Sequence, residues 1–587
     1  MSTAVSFSGI LLLLGVLTGV LTPLLTAQPK AGTAPSDEPV VDLPPLMVES
    51  TTTPLRWRYL ELPGLEVLSV CDDSTTREFL RRYFRQSNLL AWLIPEKYQG
   101  RSSVPDSYIL FNEEIHRANS TEIVADMIRR DGGRKGSGDA GKEKWSSREQ
   151  WGREPPRIRF LPNMRMVDLD STSVFVILRE ADPGSLNFSF TLDRVGQLLQ
   201  QRVPALPPWL IVGLAGLYAE SNLRDEVIRI ESARWLSPEE ANALSRDESR
   251  PRALVPMEDL FIWKPGRKSA EIGEMERIRR AQCTLFVRWA AVADQGARRD
   301  ALWSMVDRLE KEPMSEVLFE EHFGMGFSDM RDVLSDYLST ATSEEMVMKD
   351  AKPGRPPSFQ LRAATPAEVA RLRGDWERME IAFVRKRFPE LVPKYIEQAR
   401  RTLLRAYDKG ERDPRLLAVL GLLECDADNR LAGEPLLEEA TRAGVVRPRA
   451  YFELALIRYA TSQAAAPNDE NASLTADQVE RIISPLWTAH GQWPPLPMVY
   501  TLMAEAWSKG QTPLTREQLD VLTRAVKLFP HVSPLALRTA YLQAANGFTA
   551  EAGNTLAFGL DSTDDPKMRD RFERARMQLE RAVDKIE

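Results

Sequence analysis

Cysteine and histidine are scarce in this chain: 587 residues hold three of the first and four of the second. Cys71, Cys283 and Cys425 lie far apart and are odd in number, which excludes a disulfide scaffold and a zinc site built on cysteine. His116, His322, His490 and His531 are scattered, and none has a partner at metal-ligand spacing. Excess positive charge is also missing. Lys plus Arg number 77 against 84 Asp plus Glu, a net charge of −7, so no basic stripe of the kind nucleic-acid binders carry is expected. Glycine-rich phosphate loops are absent, since GRKGSG at 133–138 lacks both the spacing and the flanking strand and helix. No Gly-x-Ser-x-Gly elbow occurs, which leaves a serine hydrolase without support.

One long apolar run is present. Residues 7–27 contain no charge, Ala27 is a small residue suited to cleavage, and 28–53 are rich in Pro, Ala, Ser and Thr. This pattern reads as a secretory signal at 1–27 followed by a flexible linker at 28–53. The first basic side chain is Lys30, so the usual positive n-region is missing and an uncleaved membrane anchor is the alternative. The expected location is the periplasm or cell envelope, with membrane contact only if the segment is retained.

Beyond Leu55 the pattern is mixed. Residues 57–62 and 65–70 alternate apolar and polar side chains around a Pro-Gly break, as a hairpin does. An amphipathic run follows Ser74 and stops at Pro95, as a helix would. Strand patterns recur at 107–112, 165–168 and 173–178. Residues 129–157 are charged, Gly- and Ser-rich and aperiodic, and read as a disordered insertion. From Leu192 onward the reading is almost wholly helical, with a Pro-rich linker at 346–365. Strands mixed with helices, then a long helical tract, predict an α+β domain at 54–345 and an all-α domain at 366–587.

The segment 192–220, LDRVGQLLQQRVPALPPWLIVGLAGLYAE, is the most informative. A helix ends near Arg202, a Pro-rich turn follows, and a second helix begins near Trp209. Here the sequence resembles the gluzincin, or peptidase-MA-like, domains of bacterial secreted proteins. That family pairs an HExxH helix with a second helix of the form P-x-W-L-x-E-G-L-A. The resemblance implies a zinc site with two His, a Glu that handles the water, and a third ligand from the second helix. This chain keeps the frame and loses the ligands. The HExxH slots hold Asp193, Arg194, Val195, Gly196 and Gln197, and the third-ligand slot holds Val212. Guanidinium, amide and isopropyl groups do not replace imidazole and carboxylate at zinc. No metal, cofactor or hydrolysis is therefore expected from these positions. The likeness extends over roughly 55–340, through the helix at 281–294 and a final pair of helices at 315–338.

Three smaller features have plain readings. Glu320, Glu321 and His322 are adjacent and read as a solvated helix end, and Cys283 reads as a buried small hydrophobe. Asp193 and Gln197 share a helix face and read as a remnant polar pair.

The C-terminal tract carries a degenerate repeat. Gly421 is followed by Gly433, Leu437 and Ala440 at offsets of 12, 16 and 19, and Ala455 comes 34 residues after Gly421. Ala525 has Pro530 five residues on, while Ala540 is followed by Ala552 and Leu556 at 12 and 16. These offsets resemble the packing positions of tetratricopeptide (TPR) units, in which small residues let paired helices approach closely. The resemblance implies a solenoid that binds a protein or peptide partner. The leading expectation is an exported, non-catalytic pseudo-metallopeptidase joined to a partner-binding array. The alternatives are an envelope hydrolase with a site elsewhere, or a membrane-tethered structural protein.

Overall fold

In the computed structural model the described residues are 55–99, 103–112, 163–178, 195–196, 198–199, 206–224, 227–233, 235, 254–263, 274–309, 312–348, 357–464, 473–563 and 565–583. Strands β1 (Arg58–Leu62) and β2 (Leu65–Ser69) form a tight antiparallel hairpin at Pro63 and Gly64, where Gly64 takes φ 74°. Helix α1 (Asp73–Leu93) follows, its N-terminus closed by the Asp72 carboxylate accepting from the Thr75 amide at 2.7 Å. The chain then returns as β3 (Asp106–Asn112), parallel to β2. Strand β4 (Asn163–Val167) turns back into β5 (Thr172–Leu178), which lies parallel to β3.

The Pro-rich turn delivers α2 (Pro208–Glu220) with Pro208 in its first turn, where a missing N–H costs nothing. Three strands then break the helical reading that began at Leu192. Strands β6 (Ser221–Arg224) and β7 (Val227–Ile230) make a hairpin, which β8 (Met346–Met348) joins. The physical reason is a period of two: Ile228 and Ile230 are buried while Arg229 between them is exposed. Between β7 and β8 run α3 (Met257–Ile262), α4 (Glu274–Ala291), α5 (Arg299–Arg308), α6 (Glu316–Phe323) and α7 (Phe327–Ser343).

The stretch 346–365 holds more than a linker. Besides β8 it carries β9 (Arg362–Ala363), which pairs with Arg58 and Tyr59 and completes the sheet order β4-β5-β3-β2-β1-β9. Helix α8 (Pro366–Arg387) starts three residues later, capped by a reciprocal Thr365–Glu368 box.

The large sheet is mixed, parallel only along β2-β3-β5, and that parallel centre is covered on both faces as such strands require. On one side Leu60, Val67, Tyr108, Leu110, Val174 and Val176 meet Phe79 and Leu80 of α1 in the main core. On the other, Val70, Ile109, Phe111 and Phe175 pack on Trp376, while Tyr59 and Leu68 pack on Leu372. Trp376 and Leu372 belong to α8, so the first helix of the C-terminal tract forms the second cover of the N-terminal sheet. Leu55–Glu587 accordingly form one compact unit.

Helices α9 (Val392–Tyr407), α10 (Pro414–Asp426), α11 (Arg430–Arg442), α12 (Pro448–Ala464) and α13 (Ala476–His490) continue the tract. They are followed by α14 (Pro497–Lys509), α15 (Arg516–Leu528), α16 (Ser533–Ala545), α17 (Thr549–Asp561) and α18 (Pro566–Val583).

Candidate partner-binding surface

The tract is built from successive helix pairs: α8 packs on α9, α10 on α11, α12 on α13 and α16 on α17, with α14 and α15 both leaning on α16. Where no insertion intervenes the period is short. Helix α10 begins at Pro414 and α12 at Pro448, 34 residues on. Helices α14, α16 and α18 begin at Pro497, Ser533 and Pro566, steps of 36 and 33.

Small residues sit where the helices of a pair approach most closely. A Cβ on Gly433 would fall 2.8 Å from the carbonyl oxygen of Gly421, and one on Gly421 would fall 2.7 Å from Leu437 Cγ. Ala440, Ala455, Ala525, Ala540, Ala552 and Leu556 are all buried in or against the same helices. Pro530 lies in the short turn between α15 and α16. A further close approach, Gly374 of α8 with a Cβ position 2.4 Å from Leu403 of α9, was not singled out in the sequence. Its signal was a lone glycine inside an otherwise strong helix pattern.

The first helices of consecutive pairs are stitched together by polar groups. Tyr459 of α12 donates to Glu505 of α14 at 2.9 Å, and Arg538 of α16 donates to the other oxygen of Glu505 at 2.6 Å. Burial, with the Glu505 charge adding to it, raises the Tyr459 hydroxyl well above its ordinary range. Thr501, Glu505, Arg538 and Tyr541 are half-buried along this stretch. Here the array has side chains able to hold an extended segment by hydrogen bonds, a charge and an aromatic ring.

At its other end the same row of first helices grips the sheet. Arg371 of α8 donates to both oxygens of Glu66 on β2 at 2.7 and 3.0 Å, and Arg415 of α10 reaches Glu66 at 2.5 Å. A second cluster joins the β4–β5 turn to α8, α10 and α12. Asp168 accepts from Arg447 at 3.1 Å and from Arg449 at 2.6 Å, and also from Arg378. Asp170 accepts from the Arg449 backbone amide at 2.8 Å. Arg378 and Arg447 hold Asp375 at 2.9 and 3.0 Å, and Arg378 holds Asp426 at 2.7 Å. Burial alone would raise the Asp168 carboxyl, but Arg378, Arg449 and Arg447 outweigh it and hold it well below the usual range. Asp170, with burial dominant and Asp168 adding to it, is raised instead. Sequence reasoning missed this cluster, because its members are separated by up to 281 residues and each alone reads as a surface charge.

Of the four degenerate metal-slot positions, Asp193, Arg194 and Gln197 lie outside the described residues, as do His116 and the insertion at 129–157. Val212 is half-buried on α2 and packs against the main core. The neighbouring Gly213 and Gly216 press α2 onto α4, where Cβ atoms would lie 2.4 Å from Val287 and 2.0 Å from Thr284. Arg288 of α4, fully buried, donates to Glu220 at the end of α2 at 3.0 Å, and also to the carbonyls of Glu231 and Glu344. Among the described residues no three His, Cys, Asp or Glu side chains converge as a metal would require. On α6, Glu321 pairs with Arg308 at 3.2 Å and His322 Nδ1 lies 2.9 Å from the Leu318 carbonyl, while Gly324 closes the helix at φ 69°. Cys71, Cys283 and Cys425 are buried thiols outside any disulfide. Burial pushes the Cys283 thiol up, so it is not a ready thiolate.

No protein-family model matches the chain. A comparison with curated proteins likewise gives no match. Among solved structures, a thermophilic TPR protein of Thermus thermophilus is similar at 16% identity, over 34% of this chain and 98% of that one, with a TM-score of 0.23. The TPR domain of P58(IPK) is similar at 10% identity, over 59% of this chain and 95% of that one, with a TM-score of 0.14.

Proposed function

We propose that this chain is an exported, non-catalytic protein whose TPR-like helical array binds a protein or peptide partner, with a degenerate gluzincin-like α+β domain as its base. The observation that carries the reading is the row of first helices α12, α14 and α16. They are spliced by Tyr459, Glu505 and Arg538 and leave Thr501 and Tyr541 half-buried beside them. Stacked helix pairs, whose first helices here begin at Pro448, Pro497 and Ser533, offer such a row as a continuous surface, and no single pair could provide one.

Loss of the ligand types at Asp193, Arg194, Gln197 and Val212 supports the non-catalytic part. The uncharged run at 7–27 supports export to the periplasm or envelope. No described helix is long and apolar enough to cross a membrane. No cofactor and no nucleic acid enters this reading.

The test is a photoreactive residue at position 541 in the full chain, Tyr541→benzoylphenylalanine, with the same probe at Asp477 on α13 as control. A discrete protein adduct from position 541 and none from 477 supports partner binding on the first-helix row. Adducts of equal yield from both positions, or none from either, would overturn it. A peptidase assay on the same sample tests the non-catalytic part independently.

A further inference from the structure

The β4–β5 turn inverts the usual arrangement of a hairpin tip. Its apolar side chains face outward, Val167 and Leu169 being 46% and 43% exposed. Its acids are buried, the side chains of Asp168 and Asp170 keeping 6% and 0% of their exposure. Exposed apolar and buried acidic side chains run against ordinary partition, so a specific counter-charge must fix this turn.

Among the described residues, the array supplies three guanidiniums to this turn. Arg378 of α8 and Arg447 and Arg449 at the start of α12 converge on the turn and are each at least nine-tenths buried. Among the described residues of the array their close acidic partners are Asp375 and Asp426, with Glu453 3.7 Å from Arg449. Glu453 is shared with Arg430, 3.8 Å away, so it is not a dedicated counter-ion for the three buried guanidiniums. With the turn removed, the array would carry a buried surplus of positive charge, which demands an anionic occupant.

The seat is also imperfectly filled. Asp170 Oδ1 lies 3.0 Å from Arg447 Nε without an aligned hydrogen bond. Among the described strands, β4, which leads into the turn, is an edge strand paired with β5. Buried ion clusters of this kind serve specificity or switching better than net stability.

We propose that the β4–β5 turn is a tethered ligand, an acidic turn seated in an arginine site of the array that a carboxylate-bearing segment of a partner protein displaces. This rests on the partner-binding reading and extends it by naming the chemistry of the partner segment. A tethered occupant acts at an effective concentration of about millimolar, so a free acidic peptide competes poorly until the turn is weakened.

The test uses the full chain and a labelled eight-residue peptide, RMVDLDST, with the sequence of residues 165–172. Its diamide counterpart, RMVNLNST, is the control. Wild type and the variant Asp168→Asn/Asp170→Asn are compared by fluorescence anisotropy. The variant is expected to bind the acidic peptide at least ~10-fold more tightly than wild type does, and ~10-fold more tightly than it binds the diamide, with affinity falling as salt rises. Equal affinity for both peptides, or no binding to the variant, overturns the proposal.

A measurement on unaltered protein guards against a variant that misfolds. The Arg449 amide lies in the first turn of α12, where no intrahelical acceptor exists, and donates to Asp170. Its hydrogen exchange is expected to be at least ~10-fold faster than that of Leu454 and Ala455 in the same helix. Exchange of all three at one common rate would mean a permanent joint and would overturn the proposal. Either failure leaves the cross-link from position 541 as a separate test of partner binding.

Discussion

Arg371, on the first helix of the array, donates two hydrogen bonds to Glu66 in the middle of the N-terminal sheet, across 305 residues of sequence. The pair is buried, with side-chain exposures of 7% and 1%. It marks where the two halves of the chain become one structure. Helix α8 gives Arg371, Leu372 and Trp376 to the sheet and Gly374 to its array partner α9. An element shared in this way couples the folding of both parts.

Removing that coupling has an expected size. Arg371→Ala leaves Glu66 buried with only Arg415 as its cationic neighbour among the groups that hold it, and breaking a buried pair from one side costs about 3–5 kcal/mol. Chemical denaturation is expected to show the midpoint falling for sheet and helix signals together. Loss of the sheet signal alone, with the helical transition unmoved, would show that the two parts fold independently.

Close helix contacts make opposite predictions at three glycines. Gly433→Ala sets a methyl 2.8 Å from a backbone oxygen that cannot yield, and overpacking of this kind costs about 1–3 kcal/mol. Gly421→Ala meets the Leu437 side chain instead and is expected to cost less. Gly553 on α17 has nothing within 4 Å, so Gly553→Ala is expected to stabilise by about 0.5–1 kcal/mol through helix propensity. Thermal melts of the three variants check the order.

Glu380 gives the fold a pH dependence. Burial, with the Glu377 charge adding to it, pushes its carboxyl up from about 4.5 to about 8, although Trp376 Nε1 donates to it at 2.7 Å and opposes the rise. The folded chain therefore keeps a proton that the unfolded chain releases between those two values. Stability falls as pH rises from about 4.5 to about 8, by roughly 3–5 kcal/mol from this group. Glu380→Gln is expected to flatten that slope and raise the urea midpoint above pH 8. A midpoint with the same pH profile in variant and wild type would contradict the assignment.

Local patterns were readable where a single stretch of sequence decides the structure. The hairpin at 57–70, the helix after Ser74 and the strand before Asn112 follow from alternation, capping and Pro95. Gly421 and Gly433 were legible as a pair because one 12-residue offset places both on facing helices. The strands at 221–230 and 346–363 were not, since an alternation of two to four residues does not stand out from the helical patterns around it. The double role of α8 was hidden too. Its apolar positions face two partners, so they cover much of the helix and blur a one-sided stripe. The Asp168 cluster is non-local by nature, and no spacing rule joins residue 168 to residue 449.

The most direct test of the proposal that the chain works by binding rather than catalysis is zinc stoichiometry by elemental analysis on the purified full chain, with a chelator-treated control and a peptidase assay on the same sample. Slots filled by Asp193, Arg194, Gln197 and Val212 predict zinc at background level and no cleavage, with both unchanged by chelation. Zinc near one equivalent per chain, with cleavage lost on chelation, would contradict that account and make the α+β domain an enzyme.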